Sequence, residues 1–349
     1  MLDTMKSFTY TRILPYLKKP PALQADLSAG EDKQPIAMIC DEMTWQNLRR
    51  EHPVAYLDPR RWRETLEQYK PALFFCEAAW QPPWRAQIYK DMRVRYENRR
   101  TLLQILDYCQ SSGIPTVFWA KEDPAYFKHA VYDFTDTALR FDHLLTTAEE
   151  CVPAYEALGH KSVHSWMFGF SESIFYPPDS VAEAEREDTA VFAGSWYPDQ
   201  PQRCEDTIAV FNYVLAKGIP LRIYDRYSGR SANRFPERYR AYVHNAVPYE
   251  DLGDMYRRSR YVININTVKD SQTMFARRVY EAMACGCIII SNESLAMREQ
   301  YSDKVWFAGT PFGGECEHDI RVENINEVFC KHTNGERMEQ LWEIVNKSA

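Results

Sequence analysis

Short apolar runs alternate with amphipathic stretches through the first half of the chain. Five runs are apolar enough to be buried strands, and they lie at 36–40, 71–76, 114–119, 141–146 and 162–167. Helical periodicity, with glycine or proline at the ends, predicts helices over 61–69, 92–112 and 149–158, and over part of 124–139. Repeated succession of strand, polar turn and helix indicates a parallel, doubly wound α/β sheet.

The same succession starts again after a charged stretch that contains two prolines. Tyr176-Pro-Pro-Asp179 and the charged run 182–188 are typical of a linker. Beyond it the pattern predicts strands at 190–193, 221–224, 261–266, 288–291 and 305–308, with helices between them. Two doubly wound domains in tandem form a deep cleft between facing strand ends. Such a cleft excludes water and suits group transfer from an activated donor.

Acidic side chains follow several predicted strands of the first half. Asp41 follows the first strand, Glu77 the second, and Glu122 and Asp123 the third. Ligands of doubly wound sheets bind beyond the carboxyl ends of the strands. Taken singly, each acid is more often a helix cap or a solvated loop residue. Gathered at several strand ends, the four are candidates for acceptor binding and for acid–base catalysis.

The segment 275–291 predicts a helix that runs into a buried strand. Gly286 ends the helix, and the isoleucine run 288–290 is too apolar for a half-exposed strand. Arg278 and Glu281 lie one turn apart near the helix start, where free N–H groups favour a diphosphate and a glutamate could accept hydrogen bonds from a ribose diol. The alternative is an i,i+3 surface ion pair, worth only a few tenths of a kcal/mol.

Composition and charge narrow the function classes. The 349 residues carry a formal net charge of −7, which disfavours nucleic acid as a partner. Nine scattered cysteines without paired CxxC units predict free thiols in a reducing compartment. No apolar run is long enough to span a bilayer, so we expect a cytoplasmic protein. The N-terminal arm, 1–35, mixes basic and aromatic residues and could make weak contact with an anionic membrane surface.

Motifs of several common enzyme classes are missing from the sequence. Neither GxxxxGK[ST] nor a GxGxxG after the first strand occurs, which disfavours a P-loop ATPase and a dinucleotide-dependent dehydrogenase. HExxH and GxSxG are also missing. The eight histidines show no metal-ligand spacing, so no metal site is predicted.

An ordered set of motifs resembles glycosyltransferases of the GT-B fold. In the second half the motifs are VPYEDL at 247–252, MYRRS at 255–259, YVININ at 261–266 and RVYEAMACG at 278–286. In the first half they are KPALFFCEAAW at 70–80, PTVFWAKEDP at 115–124 and FDHLLTT at 141–147. The chain is most similar to the spore-maturation CgeB-like group, over residues 36–291.

The resemblance implies two Rossmann-like domains that face each other across a cleft. The acceptor domain would be 36–176 and the donor domain 177–330, with a last helix in 331–349 that crosses back to the N-terminal domain. The implied co-substrate is a nucleotide-diphosphate sugar, with a UDP-sugar as the expected donor. No bound cofactor and no metal are expected, because helix dipoles and basic side chains carry the charge of the diphosphate in such enzymes.

Donor-site residues carry over from the matched positions. Glu281 matches the glutamate that holds the donor ribose, and Arg278 matches a diphosphate-facing position. Gly194 matches the glycine of the first turn of the donor domain, and the loop at Val247 and Pro248 matches the one that lines the nucleobase. Further candidates at the same strand ends and helix starts are Ser195, Arg203, Tyr224, Asn266, Lys269, Thr273 and Arg277. For Arg203 and Asn266 the alternatives are an ordinary surface arginine and a turn-forming asparagine.

Thr273 is a departure from the family pattern. Many retaining GT-B enzymes carry a glutamate eight residues before the ribose glutamate, and Thr273 stands there. A threonine can hydrogen-bond a sugar hydroxyl but supplies no carboxylate. Retaining chemistry therefore does not carry over directly to this chain.

The sequence predicts a glycosyltransferase of hexosyltransferase type that acts on a glycan, a polymer or another acceptor. One acid of the first domain would be the general base if transfer inverts the anomeric centre. If transfer retains it, the leaving phosphate would help to deprotonate the acceptor. The alternatives are a non-catalytic module that binds sugar nucleotides or glycans, and a sugar-nucleotide epimerase. A glycosyltransferase that modifies DNA is a narrower form of the main prediction.

Overall fold

The computed structural model describes residues 25–30, 32–78, 99–129, 133–178, 186–227, 233–311 and 316–347. The chain divides into two compact units. The first unit comprises the chain up to Met167 together with the part from Met338 onwards. The second unit is Phe168–Arg337.

The change of unit at Met167 comes before the proline-containing stretch to which the sequence analysis assigned it, at 176 and 177. Aromatic packing accounts for the difference. Phe170 lies 5.2 Å from the ring of Phe329, and Phe175 lies 5.6 Å from the ring of Tyr249. Both partners belong to the second unit, so the segment that precedes the prolines packs with it.

A sheet of seven strands, counted over the described residues, forms the core of the first unit. The strands are β1 (Ala25–Asp26), β2 (Ile36–Ile39), β3 (Val54–Tyr56), β4 (Leu73–Glu77), β5 (Thr116–Ala120), β6 (His143–Thr146) and β7 (Val163–Ser165). Their order is β1-β3-β2-β4-β5-β6-β7. The pair of β1 and β3 is antiparallel, and the other neighbours are parallel.

Burial explains which strands the sequence reveals. Every residue of β2, β4, β5 and β6 is buried, and β2, β4 and β5 read as largely apolar runs. The sequence analysis missed β1 and β3. They have only two and three residues, too few for a pattern to emerge.

The helices of the first unit are α1 (Glu42–Leu48), α2 (Trp62–Tyr69), α3 (Arg100–Ser111), α4 (Thr135–Ala138) and α5 (Val152–Ala157). Asp41 caps α1, because its Oδ1 accepts a hydrogen bond of 3.1 Å from the Thr44 amide. The helix predicted over 92–112 is present in its described part, and residues 92–98 lie outside the described residues. Only α4 is helical within the stretch 124–139, apart from residues 130–132, which are not described.

The second unit has a wholly parallel sheet of six described strands. They are β8 (Glu187–Gly194), β9 (Leu221–Asp225), β10 (Val243–Asn245), β11 (Ser259–Asn264), β12 (Ile288–Ser291) and β13 (Trp306–Phe307). Their order is β10-β9-β8-β11-β12-β13. All of β12 is buried, as the isoleucine run predicted. The chain crosses the middle of the sheet between β8 and β11, where a doubly wound sheet has its switch point.

The helices of the second unit are α6 (Pro201–Ala216), α7 (Leu252–Arg258), α8 (Arg278–Ala284), α9 (Leu295–Tyr301) and α10 (Glu317–Lys331). The last helix, α11 (Asn334–Lys347), begins in the second unit and belongs to the first unit from Met338 onwards. Gly286 ends α8 with a φ of 72°, which confirms its predicted role. α8 begins one turn later than predicted. Phe275 lies before the helix, where its ring packs on the rings of Tyr280 and Tyr301. No helix of the described ranges is both long and apolar enough to cross a membrane.

Candidate functional site

Arg278 reaches from the start of α8 to the carboxyl end of β8. Its Nη2 donates a hydrogen bond to the Ala193 carbonyl, and its guanidinium lies 5.1 Å from the ring centroid of Phe192. The alternative of a surface ion pair with Glu281 does not hold. Within the described residues the two side chains form no ion pair, and Glu281 is only 2% exposed.

Arg203 approaches the same strand end from α6. It is buried, its Nη1 donates to the Ser195 carbonyl at 3.1 Å, and its guanidinium lies 4.8 Å from the ring centroid of Tyr197. Burial is the largest cause that lowers the pKa of Arg203 to about 10, and the positive charges of Arg278 and Arg226 act in the same direction. The alternative of an ordinary surface arginine is therefore wrong.

Arg226 completes a group that we call the arginine cluster, namely Arg203, Arg226 and Arg278. The Arg226 amide donates to the Gly194 carbonyl at 3.0 Å, and its Nη2 donates to the Tyr197 hydroxyl at 2.5 Å. No carboxylate of the described chain forms an ion pair with Arg203 or Arg278. A cluster of positive charges in which Arg203 and Arg278 have no carboxylate partner among the described residues is suited to an anion.

Gly194 and Ser195 occupy the end of β8 itself. A Cβ on Gly194 would lie 2.5 Å from Cζ of Phe192, so the glycine makes room for that ring. Ser195 is 1% exposed, and its Oγ has no hydrogen-bond partner within the described residues. The hydroxyl therefore remains a donor beside the arginine cluster.

Glu281 lies on the first turn of α8, deep in the second unit. The Tyr249 hydroxyl donates to its Oε1 at 2.5 Å. Burial raises the pKa of Glu281, while the charge of Arg277, the Tyr249 hydrogen bond and the charge of Arg278 lower it. Arg277 is also buried, with its guanidinium 5.0 Å from the ring centroid of Phe168.

Buried amides and a hydroxyl connect the carboxyl ends of β11 and β12. The Asn266 amide N–H donates to Asn292 Oδ1 at 2.7 Å, and Asn266 Nδ2 donates to Ser291 Oγ at 3.2 Å. Asn264 Nδ2 donates to the same Ser291 Oγ at 3.1 Å. Asn266 thus belongs to a buried polar network rather than to an isolated turn.

Lys269 and Thr273 lie in the loop that follows β11. Lys269 Nζ is 2.7 Å from Asp206 Oδ2, so its charge is already paired. Thr273 is half-buried, and its amide donates to Ser271 Oγ at 3.4 Å.

The remaining donor candidates lie at the edge of the sheet. Tyr224, on β9, pairs with His244 of β10, and their rings are 5.5 Å apart. Val247 and Pro248 follow the edge strand β10 and lead into the 3₁₀ turn Tyr249–Asp251.

Two of the four predicted acids of the first unit share a lysine. Lys121 Nζ lies 2.5 Å from Asp41 Oδ2 and 3.0 Å from Glu77 Oε1. The Asp41 amide and the Thr44 hydroxyl donate to the two oxygens of Glu77 at 2.5 and 2.7 Å. Burial and the charge of Asp41 raise the pKa of Glu77 to about 7, against the opposing charge of Lys121.

Asp123 belongs to a different cluster. It is 4% exposed and accepts hydrogen bonds from Thr146 Oγ1 at 2.7 Å and from the Tyr155 hydroxyl at 3.4 Å. Burial raises the pKa of Asp123 to about 7, although both hydrogen bonds lower it. Its neighbour Glu122 is half-buried. Their shared position at strand ends suggested that the four acids form one group. The structure places Asp123 in a separate cluster from Asp41 and Glu77.

Sequence reasoning missed Lys121, Arg226 and Tyr249 as members of these clusters. Lys121 and Arg226 directly follow β5 and β9, so the rule that selected the acids would have selected them too. Tyr249 had no such signal, because its partner is 32 residues away in sequence.

The described residues contain no group of histidines, cysteines and acids that could hold a metal ion, and all nine cysteines are free, seven of them buried.

Comparison with known proteins gives one family match. A family model described as glycosyl transferase-like matches residues 212–343. No curated protein shows a significant match to the chain.

Solved structures of similar fold cover most of the chain. Sucrose-phosphate synthase from Thermosynechococcus elongatus matches with a TM-score of 0.54 and 12% identity, over 91% of this chain and 100% of that one. Anabaena HepE in complex with UDP-glucose matches with 0.52 and 12%, over 87% and 88%. An α-glucosyltransferase in complex with UDP and a 13-mer DNA containing an HMU base matches with 0.58 and 11%, over 89% and 98%.

The fold is therefore GT-B, with two Rossmann-like α/β domains. The expected fold class is confirmed. The family model matches less than half of the chain, and the structural neighbours show the fold.

Proposed function

We propose that the protein is a metal-independent glycosyltransferase of hexosyltransferase type, related to the CgeB-like group. It would move a sugar from a nucleotide-diphosphate sugar, with a UDP-sugar as the expected donor, to an acceptor hydroxyl. Support comes from the glycosyl transferase-like match and from the nucleotide complexes of the structural neighbours, HepE with UDP-glucose and the α-glucosyltransferase with UDP.

The arginine cluster is the observation that carries this proposal. A diphosphate leaving group gains negative charge as the bond between the anomeric carbon and the phosphate oxygen breaks. Arg203, Arg226 and Arg278 supply positive charge at one strand end, and two of them are held by hydrogen bonds to the Ser195 and Ala193 carbonyls. Donors fixed before the reaction stabilise such charge without reorganisation. The arginines would therefore take the part that a metal ion plays in other transferases.

Glu281 would bind the donor ribose. An ionised carboxylate only accepts hydrogen bonds, and its lone pairs can receive two neighbouring ribose hydroxyls, which are donors. It lies on the same first turn of α8 as Arg278. Ribose and diphosphate are adjacent in a nucleoside diphosphate, so the two residues would serve one ligand.

The acids of the first unit divide into two roles by exposure. Glu77 and Asp123 are buried, and each accepts hydrogen bonds at both carboxylate oxygens, so we assign them to positioning. The side chain of Asp41 keeps 18% exposure, and Glu122 is half-buried. In an inverting transfer either could take the acceptor proton as its oxygen bonds to the anomeric carbon. In a retaining transfer the leaving phosphate oxygen would take it, and these acids would orient the acceptor.

The first experiment measures UDP affinity by calorimetry. We expect Arg278→Ala and Glu281→Ala each to weaken binding about tenfold or more, because hydrogen bonds to charged groups are among the strong ones. Arg238→Ala is the matched control, since Arg238 is an exposed arginine of the same unit. Unchanged affinity in both test variants would refute the site.

A second experiment separates the transferase from a non-catalytic binding module, the alternative that Thr273 suggests. The wild-type protein is incubated with UDP-, GDP- and TDP-sugars, and release of the nucleoside diphosphate is followed. We expect slow donor hydrolysis that Asp41→Asn or Glu122→Gln alters. Tight binding with no turnover, with acceptors supplied, would favour the module.

A further inference from the structure

Tyr249 provides a contact to Glu281 that the resemblance does not imply. The tyrosine begins the 3₁₀ turn Tyr249–Asp251 after β10, and its hydroxyl donates to Glu281 Oε1 at 2.5 Å. Both residues belong to the second unit. At this length the bond is typical of an O–H donor on an ionised carboxylate.

The two oxygens of Glu281 are therefore in different situations. Oε1 accepts from Tyr249, whereas Oε2 accepts no hydrogen bond from the described residues. Rotation of the carboxylate would break the bond to the phenol. One oxygen is thus held, and the orientation of the other is set for a ligand.

The ring of Tyr249 packs against other aromatic side chains of the second unit. The ring of Tyr249 meets the ring of Phe175 edge to face at 5.6 Å. Phe175 is completely buried and lies 6.1 Å from the ring of Tyr256, which is 1% exposed. Edge-to-face pairs of this kind fix ring orientation. The position of the Tyr249 hydroxyl is therefore determined by the aromatic core of the unit.

We propose that Tyr249 is a positioning residue of the donor site, which orients Glu281 so that it selects nucleotides with an intact ribose diol. The inference rests on the proposed function, because it assigns the specificity of the same carboxylate. It predicts a defined ligand preference, for a ribonucleoside diphosphate over its 2′,3′-dideoxy counterpart.

The charge state of Glu281 also affects how it binds a diol. Glu281 can receive both hydroxyls of a diol only when it is ionised, since a protonated carboxyl is also a donor. Burial works against ionisation, and Arg277, Tyr249 and Arg278 favour it, while the nearby Tyr256 is a neutral phenol. Removal of the Tyr249 hydroxyl raises the pKa of Glu281. Affinity for the diol is then lost at a higher pH when the solution is acidified.

The experiment compares UDP with 2′,3′-dideoxy-UDP over a range of pH by calorimetry. We expect the wild-type protein to prefer UDP, and Tyr249→Phe to reduce the affinity ratio about tenfold. On acidification, the UDP affinity of Tyr249→Phe should also begin to fall at a higher pH than the UDP affinity of the wild type. Affinity for dideoxy-UDP should stay unchanged, which shows that the variant is folded at the site.

Tyr261→Phe is the matched control. The Tyr261 hydroxyl donates to Glu317 Oε1 at 3.2 Å, so the variant removes a tyrosine–glutamate bond of the same kind in the same unit. We expect its affinity ratio and pH dependence to equal those of the wild type.

The outcomes distinguish this inference from the proposed function. If Glu281→Ala abolishes the preference and Tyr249→Phe keeps both the ratio and the pH dependence of the wild type, Tyr249 has no positioning role while the donor site stands. If the wild type binds neither nucleotide, the UDP donor of the proposed function is wrong and the inference falls with it. A wild type that binds both nucleotides equally refutes the ribose assignment and the role of Tyr249 together.

Discussion

Replacement of Lys121 by methionine tests the buried charge cluster of the first unit. Lys121 is the cation between Asp41 and Glu77, with its side chain only 7% exposed. Methionine keeps most of the length of the side chain but removes the charge and its hydrogen bonds. The variant leaves the carboxylates of Asp41 and Glu77 without the cation that they share, and the side chain of Glu77 is completely buried.

The size of the effect follows from the pKa of Glu77, which burial raises from 4.5 to about 7. A raised carboxyl pKa means that the folded state holds more protons than the unfolded state between these values. The free energy of unfolding therefore falls by about 3 kcal/mol from this group as the pH rises through that window. Lys121 lowers this pKa, so Lys121→Met should extend the loss to higher pH. At pH 8 we expect a cost of about 3–5 kcal/mol, typical of a buried charge that loses its partner.

At pH 5 the prediction is different, because Glu77 is protonated in both proteins. Only the partly exposed Asp41 then loses its partner, at a cost of about 1 kcal/mol. Urea unfolding at pH 8 and pH 5, followed by circular dichroism and tryptophan fluorescence, measures both values.

Lys304→Met is the control for this measurement. Lys304 pairs with Glu327 at 2.6 Å, but the two side chains are 23% and 21% exposed. We expect a loss of about 1 kcal/mol or less at either pH. The reasoning is refuted if Lys121→Met costs no more than this control at pH 8, or costs the same at both pH values.

Three further predictions concern other sites. Gly194→Ala should destabilise the second unit by about 1–3 kcal/mol, because its Cβ would lie 2.5 Å from the Phe192 ring, and Phe192→Leu in the same chain should recover part of the thermal midpoint. Burial and Arg337 lower the pKa of His332 to about 3, so the unfolded state binds more protons between that value and 6.5. His332→Gln should flatten the fall in unfolding free energy on acidification through this range, and an unchanged slope would contradict the assignment. The pKa of Asp123 is raised to about 7, so Asp123→Asn should lose less stability than the wild type between pH 6 and pH 8. Equal losses in wild type and variant, measured by urea titrations at the two pH values, would show that the pKa of Asp123 is not raised in the folded state, because the folded and unfolded states would then bind the same number of protons.

The strands of the central sheets could be predicted because burial on both faces leaves a local pattern. β4 and β12 are continuous apolar runs, and each was placed within two residues at its ends. The helix start at Arg278 was placed one turn too early. Phe275 continues the helical periodicity, but it packs on the ring of Tyr280 and on that of Tyr301, 26 residues further on, and the periodicity does not report these contacts.

The candidate site was predicted less evenly. Arg203 and Arg278 were selected because they stand near helix starts, and the structure places both side chains at the carboxyl end of β8. The position of the strand ends assigned Asp41, Glu77 and Asp123 to one catalytic group. It could not reveal that Thr146 and Tyr155 enclose Asp123 in a second cluster.

The sequence by itself determined the alternation of elements, because hydrophobic periodicity is local and each strand and helix reports its own burial. Strand order in the tertiary structure decided which of the predicted residues are in contact. Since β4 lies between β2 and β5 in the sheet, Asp41 and Lys121 are in contact although they are 80 residues apart, and Glu77 accepts a hydrogen bond from each of them. Whether an arginine or an acid is paired, buried or open to a ligand depends on such neighbours. Only the tertiary structure supplies them, because a contact between distant residues leaves no trace in the pattern around either one.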